Sequence, residues 1–327
     1  MTKISKKFET ELLKYFQKET YCSNKKLLDV DYGFTTIPQR TKDFLKNLTF
    51  ENNYKISSDT FQSSYENNKQ IIEDFFISLE TSYGTNSRDI FINTSKNDTV
   101  QKTLDTNEEQ VKVIKKFILK KYSSMYTNFR KTYGKRYIEM TGDNICPYCY
   151  RSYINVIESD EGTKSITPDI DHFFPKSRYP FLSVCLSNLI PSCLFCNQRA
   201  KNDEDFYQSS VYPPEKIFDE IEFDYDVYLN KIYIKNYNYL MSKPEYEMHL
   251  NTFLIQETYA THTEVLKSII NKHRKYKKSK IEDLTKNTIG LSSLDIKKVV
   301  FYEYEFMNKK RELLYKLKKD LYKKIVK

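Results

Sequence analysis

Cys146-Pro-Tyr-Cys149 and Cys193-Leu-Phe-Cys196, with 43 residues between them, decide how the middle of this chain is read. One C-x-x-C pair would suit a redox motif, but two do not. Residues Met1 to Thr20 carry charges throughout and no apolar run, so no secretory signal is expected and disulfides are disfavoured. Four thiolates at this spacing suit a tetrahedral structural zinc that ties two distant segments together. Cys22 and Cys185 lack such partners and read as small buried side chains.

Around the pairs the pattern is strand, loop, strand, helix. Ser152–Glu158 has strand-like content and Asp160-Glu161-Gly162 marks a turn. Thr167–Phe174 reads as a further strand, Asn188–Ser192 as a short extended piece, and the stretch from Asn197 to Asn202 as a short helix. Residues 1–142 read as a helical region. Phe8, Leu12, Leu13 and Phe16 recur at helical spacing, and a second helix is expected over Asn68–Tyr83. A long helix opens at Thr106, where Thr106 and Glu109 fit a capping box, and runs to about Glu139, with Gly142 following. The Asn/Ser-rich stretches Glu51–Asn68 and Asn93–Asn107 read as loops. In residues 211–327, Ile221–Leu240 alternates as one hairpin, residues 250–280 and those after Ser292 read as helices, and Leu314, Leu317, Leu321 and Ile325 form an apolar stripe. The expected fold class is α+β, with regions 1–142, 143–210 and 211–327.

Asp169-Ile-Asp-His-Phe-Phe-Pro-Lys176 and Ser187-Asn-Leu-Ile-Pro-Ser-Cys-Leu-Phe-Cys-Asn197 carry the chemistry. Interlocked with the four cysteines, this series resembles the HNH endonucleases, the ββα-metal nucleases: an Asp-His at a strand end, then an Asn, then a His or Asn opening a helix. His172, Asn188 and Asn197 stand 16 and 9 residues apart, and the last position is Asn, which makes this an H-N-N version. The resemblance spans Cys146 to Asp205.

It implies His172 as general base, an imidazole able to take a proton from water near neutral pH. Asp171 and Asn197 offer hard oxygens for a catalytic Mg²⁺ or Mn²⁺, and Asn188 orients the base and braces its loop. Lys176, Arg178, Arg199 and Lys201 are the candidate nucleic-acid contacts. Adjacent side chains of a flat strand face opposite ways, so Asp171 and His172 converge only if the chain bends there. Asp169 alternates onto the face of Asp171, either as a further ligand or as a structural carboxylate. The wording is most similar to the nuclease subunit of Septu-type and retron-linked anti-phage systems. That likeness implies DNA as substrate and an ABC-type ATPase as partner, and the chain has no G-x-x-x-x-G-K-[ST] of its own. A restriction-type nuclease, a ribonuclease and a non-catalytic zinc-knuckle adaptor are the alternatives.

Composition excludes other classes. With 28 Tyr and 21 Phe among 327 residues the chain is not a disordered polyelectrolyte, and 6 Gly exclude collagen-like repeats. No apolar run reaches the ~20 residues of a membrane helix, so a cytoplasmic protein is expected. The net charge of +9 is uneven: from Glu264 to Lys327 there are 19 Lys and Arg against 8 Asp and Glu. Such a segment either neutralises phosphates or forms solvated helix faces.

Overall fold

A computed structural model describes residues 61–99, 104–208, 211–288, 290–305 and 312–326, together with 11, 38–41, 43, 44 and 307. The expected helix around Phe8 to Phe16 and Cys22 lie outside the described residues. The fold is mixed α+β, with two-stranded sheets set among helices and the four cysteines drawn together. The chain divides into two compact units: residues 1–142, 156–191 and 203–208 form one, and 143–155, 192–202 and 209–327 the other. Residues 143–210 therefore contribute to both.

The first unit is organised by helices α1 (Phe61–Tyr83), α2 (Ser87–Asn93) and α3 (Asn107–Thr141). Helix α1 begins seven residues before the expected Asn68, inside a stretch read as loop. Once nucleated, a helix propagates through Ser and Asn at modest cost, and their composition misleads as to where it starts. Helix α3 starts as its sequence dictates. The Thr106 hydroxyl accepts the Glu109 amide at 3.2 Å, and Gly142, at φ 66°, closes the far end in the left-handed conformation that glycine adopts without strain. Val111, Ile114, Ile118, Tyr122, Met125 and Phe129, spaced three or four apart along this helix, form an apolar stripe that is buried along its whole length.

Strands β1 (Ile157–Glu158) and β2 (Ser165–Ile166) form a small antiparallel hairpin with Ile157 opposite Ile166. The strand expected over Ser152–Glu158 is thus only two residues long. Tyr153, in the second unit, instead bridges Ile145. Strand β3 (Asp169–His172), shorter than the expected Thr167–Phe174, pairs with β4 (Leu189–Ser192). Helical turn α4 (Phe195–Lys201) follows, so strand, loop, strand and helix succeed one another as the sequence suggests. Helix α4 is wound wide: the Asn202 amide reaches back five residues to the Asn197 carbonyl at 2.9 Å.

The second unit also holds hairpin β5 (Phe223–Asp226) and β6 (Lys231–Ile234), paired Phe223 to Ile234 and Asp226 to Lys231, where one hairpin was expected. Its helices include α5 (Pro244–Thr252), α6 (Ile255–Ala260), α7 (Thr263–Lys275) and α8 (Tyr315–Val326). From the apolar stripe, Leu317 and Leu321 are fully buried. On α8, Lys324 pairs with the buried Asp224 carboxylate, and Asp320 accepts the Phe223 amide at 2.9 Å. Some of the basic C-terminal charge is therefore spent inside the unit. Among the described residues no helix is long and apolar enough to cross a membrane.

Candidate functional site

His172 ends β3 and is nearly buried, at 7% exposed. Its Nε2 lies 2.9 Å from the Ser183 carbonyl oxygen. A carbonyl only accepts, so Nε2 carries the proton and, in the neutral ring, the lone pair is on Nδ1. The ring is also gripped from α3: Tyr126 packs edge-on against it with centroids 4.4 Å apart. The Tyr126 hydroxyl donates to the Ile170 carbonyl at 3.0 Å. Burial, together with the carboxylates of Asp171 and Asp169, pushes that hydroxyl up to about 12, while Arg130 opposes them. One tyrosine thus neighbours all three polar residues of the Asp-x-Asp-His run. Arg130, one turn further on, holds the start of the strand through the Thr167 hydroxyl at 2.9 Å and the Pro168 carbonyl. Asp171 is buried and Asp169 half-buried.

Asn188 is fully buried and closes the loop that follows His172. Its Oδ1 accepts the Phe174 amide at 2.7 Å, and its Nδ2 donates to the carbonyls of Phe174 and Leu182 at 3.1 and 3.2 Å. Its own carbonyl accepts the Phe173 amide at 2.9 Å. These four hydrogen bonds tie the two ends of the loop together. Tyr137 of α3 holds the same turn, donating to the carbonyls of Leu186 and Leu189 at 3.1 and 2.7 Å. Cys185, outside the zinc set, sits with Asn68 and Ser187 in a small polar cluster.

Lys176 is exposed, with its ammonium 5.2 Å from the centre of the Tyr126 ring, and Arg178 is half-buried, 3.7 Å from Asp205. Beneath them Lys115 is buried. It donates to the Arg178 carbonyl at 3.2 Å and lies over the Phe91 ring. Burial and repulsion from Arg178 pull its pKa down to about 7, against the pull of Asp203.

The cysteines and the other candidates belong to the second unit. The four Sγ atoms of Cys146, Cys149, Cys193 and Cys196 all lie within 4.8 Å of one another. A tetrahedral zinc with bonds near 2.3 Å sets its sulfurs about 3.8 Å apart, so the cluster fits that ion. Left to themselves the thiols cannot all ionise: mutual hydrogen bonding, led by Cys146, holds Cys193 low and Cys196 high. A divalent ion removes that conflict. Amides of Arg151 and Cys196 point at the sulfurs of Cys149 and Cys193, each at 3.4 Å.

The first knuckle is socketed by the C-terminal region. The carbonyls of Tyr148, Cys149 and Tyr150 receive His249 Nε2 at 3.0 Å, the Tyr259 hydroxyl at 2.8 Å and the Leu314 amide at 2.8 Å. Tyr148 stacks on Phe253 at 4.7 Å, so the knuckle tyrosine and His249 are packing groups. Burial pulls His249 down to about 4, which keeps it neutral.

Asn197 is half-buried in α4 and Arg199 is exposed. Lys201 is fully buried, so its ammonium is not presented on an open surface. Among the described residues the cysteines are the group of three or more Cys, His, Asp or Glu close enough to share an ion. Tyr126, Tyr137 and the Ser183 carbonyl escaped the reading of the sequence. Tyr126 falls beside the apolar stripe of its helix with nothing to distinguish it from a packing residue, and a backbone carbonyl leaves no residue signature.

A stretch of 91 residues, 27% of the chain, is 33% identical to the Septu protein PtuB of Bacillus thuringiensis. It covers 32% of that protein, so the likeness spans about a third of the relative's length. No family model matches the chain, and no solved structure does.

Proposed function

We propose that the chain is a metal-dependent endonuclease of the HNH type, cutting DNA as the effector of an anti-phage system with an ATPase partner. The observation that carries the chemistry is the Nε2 bond of His172 to Ser183, inside a loop bracketed by Asn188. It fixes the tautomer in which Nδ1 can accept a proton. The likeness to a Septu protein supports the defence setting.

In this reading an attacking water gives its proton to His172 Nδ1 as its oxygen bonds to phosphorus, and the bond to O3′ breaks. Tyr126 and the Ser183 carbonyl keep the ring from rotating, and Asn188 keeps that carbonyl's loop in place. Lys176 and Arg178, on the loop after β3, hold the phosphate backbone. A Mg²⁺ or Mn²⁺ at Asp171 and Asn197 would neutralise charge on the phosphate and the departing oxygen. That pair rests on the sequence series. Residues 143–210 are the proposed functional core, with zinc holding the knuckles.

Purified protein, with its partner where required, is expected to nick supercoiled plasmid in Mg²⁺ or Mn²⁺ and to leave structured RNA intact. No cleavage under any of these conditions would defeat the reading. The adaptor alternative draws support from the cysteine cluster. Calorimetric titration with Mn²⁺ separates the two: the nuclease binds a second ion that Asp171→Ala loses, whereas an adaptor binds zinc only.

A further inference from the structure

The basic surplus of the C-terminal region is not evenly available. Lys267 is paired with Glu264, Lys316 with Asp320 and Lys324 with Asp224, and the Lys272 ammonium lies 5.4 Å from the centre of the Tyr304 ring. The rest is densest at one corner of the second unit, where α7 ends at Lys275 and a further helix, Lys278–Asn287, starts three residues on. Arg274, Lys275, Lys277, Lys278 and Lys280 are all exposed there, and none forms an ion pair with a described residue. The backbone beneath them is ordered. The Tyr276 amide closes α7 on the Lys272 carbonyl at 3.0 Å, and the Ile281 amide opens the next helix on the Lys277 carbonyl at 3.1 Å. Leu266, Ile269 and Ile281 turn the apolar sides of both helices inward.

A solvated helix face ordinarily mixes both signs of charge. Here the first turn of the second helix has Lys278 and Lys280, no acid and no side-chain cap. Its free amides already carry partial positive charge, so these cations repel them as well as one another. Glu282 and Asp283 come a turn later, and from 271 to 288 seven cations stand against these two carboxylates. The corner is therefore strained by like charge that an outside anion relieves. Duplex DNA sets a charge about every 1.7 Å of its axis, so five crowded cations meet phosphates in any register. An acidic peptide would have to supply matching carboxylates in one short run. Four of the five are lysines, point charges that suit backbone phosphate, and Tyr276 among them is half-buried. A bilayer surface calls for apolar side chains inserted beside the cations. The exposed Leu291 and Leu294 follow the far end of the helix Lys278–Asn287, and Val299 is five positions on from Leu294, on another side of its own helix.

We propose that the corner Arg274–Lys280 is a docking surface for the phosphate backbone of a nucleic acid, indifferent to sequence and additional to the loop of Lys176 and Arg178. It holds whether or not the chain cuts what it binds.

The test uses the full zinc-loaded chain without added Mg²⁺ or Mn²⁺, and reads anisotropy of a short labelled duplex across a salt series. Lys277→Gln, Lys278→Gln and Lys280→Gln combined should weaken binding by about tenfold or more and flatten the salt slope by about three, with zinc content and melting temperature kept. Lys286→Gln, Lys298→Gln and Lys323→Gln, the same loss of charge on exposed lysines elsewhere in the region, should change the slope by less than about one. Arginine at positions 277, 278 and 280 should bind as wild type does. A corner variant with the wild-type slope, an equal loss in the control variant, or a loss in the arginine variant overturns the proposal. Cosedimentation with vesicles of phosphatidylserine and phosphatidylcholine that the corner variant loses, while its duplex binding is unchanged, also overturns it and assigns the corner to a lipid surface. A chain that binds in this way and cuts nothing keeps the corner and loses the nuclease reading. One that cuts plasmid, and whose corner variant binds duplex as wild type does, shows the reverse.

Discussion

Around His172 each described constraint is an ordinary protein interaction: a carbonyl on Nε2, an edge-on tyrosine, and an asparagine that makes three hydrogen bonds across its loop. Around the four cysteines the protein braces the backbone instead, seating the knuckle carbonyls on His249, Tyr259 and Leu314, and leaves the sulfurs to converge on one point. The first region is complete as a hydrogen-bonded frame. The second is a cluster that could hold a zinc ion, which would offset the repulsion among converging thiolates. The two regions should therefore fail differently: the cysteine region when its metal is lost, the histidine region when its buried polar partners are.

The largest effect is expected at the cysteines. Structural zinc contributes about 10–16 kcal/mol in small zinc domains. Cys196→Ser should take zinc content to near zero by elemental analysis and sharply reduce soluble protein, and retained stability without zinc would break the contrast.

Next comes Lys115, a buried cation beneath the His172 loop. Its folded pKa, about 7, lies below its ordinary value of 10.5. The unfolded chain thus binds this proton first as pH falls, and stability declines from about pH 10.5 to about 7, then stays level. Lys115→Met should stabilise the protein at pH 7 by on the order of 4 kcal/mol, with the gain shrinking towards pH 10. Chemical denaturation at both pH values measures this, and equal gains would refute the buried charge.

Asn188→Ala strands the Phe174 amide and two buried carbonyls and should cost about 3 kcal/mol. Its melting temperature should fall while zinc content stays at one per chain, and a loss of zinc would blur the contrast. Tyr126→Phe removes only the bond to Ile170 and should cost about 1 kcal/mol. The ring contact with His172 remains, and the melting temperature reads the difference.

What the sequence made legible was local. The Thr106 cap, the left-handed Gly142, the knuckles and the order around β3 and β4 each follow from residues a few positions apart. Asn188 stood out because the Asp-His/Asn/Asn series has a fixed spacing. The missing parts act at long range. Tyr126 meets His172 across 46 positions and His249 meets Tyr148 across 101, and neither pairing leaves a periodic trace. Lys201 was read as a candidate nucleic-acid contact and is buried, because residue type alone does not say which face of a short turn is covered. The start of α1 was hidden by Ser and Asn, whose preferences are weak beside the cost of ending a helix.

The central claim is that His172, held in one tautomer by Ser183, is the proton acceptor of a phosphodiester cleavage. Single-turnover cleavage of plasmid in Mg²⁺ by wild type and His172→Ala, at matched zinc content and melting temperature, tests it most directly. A fall of about 10²–10⁴ in rate is predicted, and cleavage by the variant at the wild-type rate would contradict it.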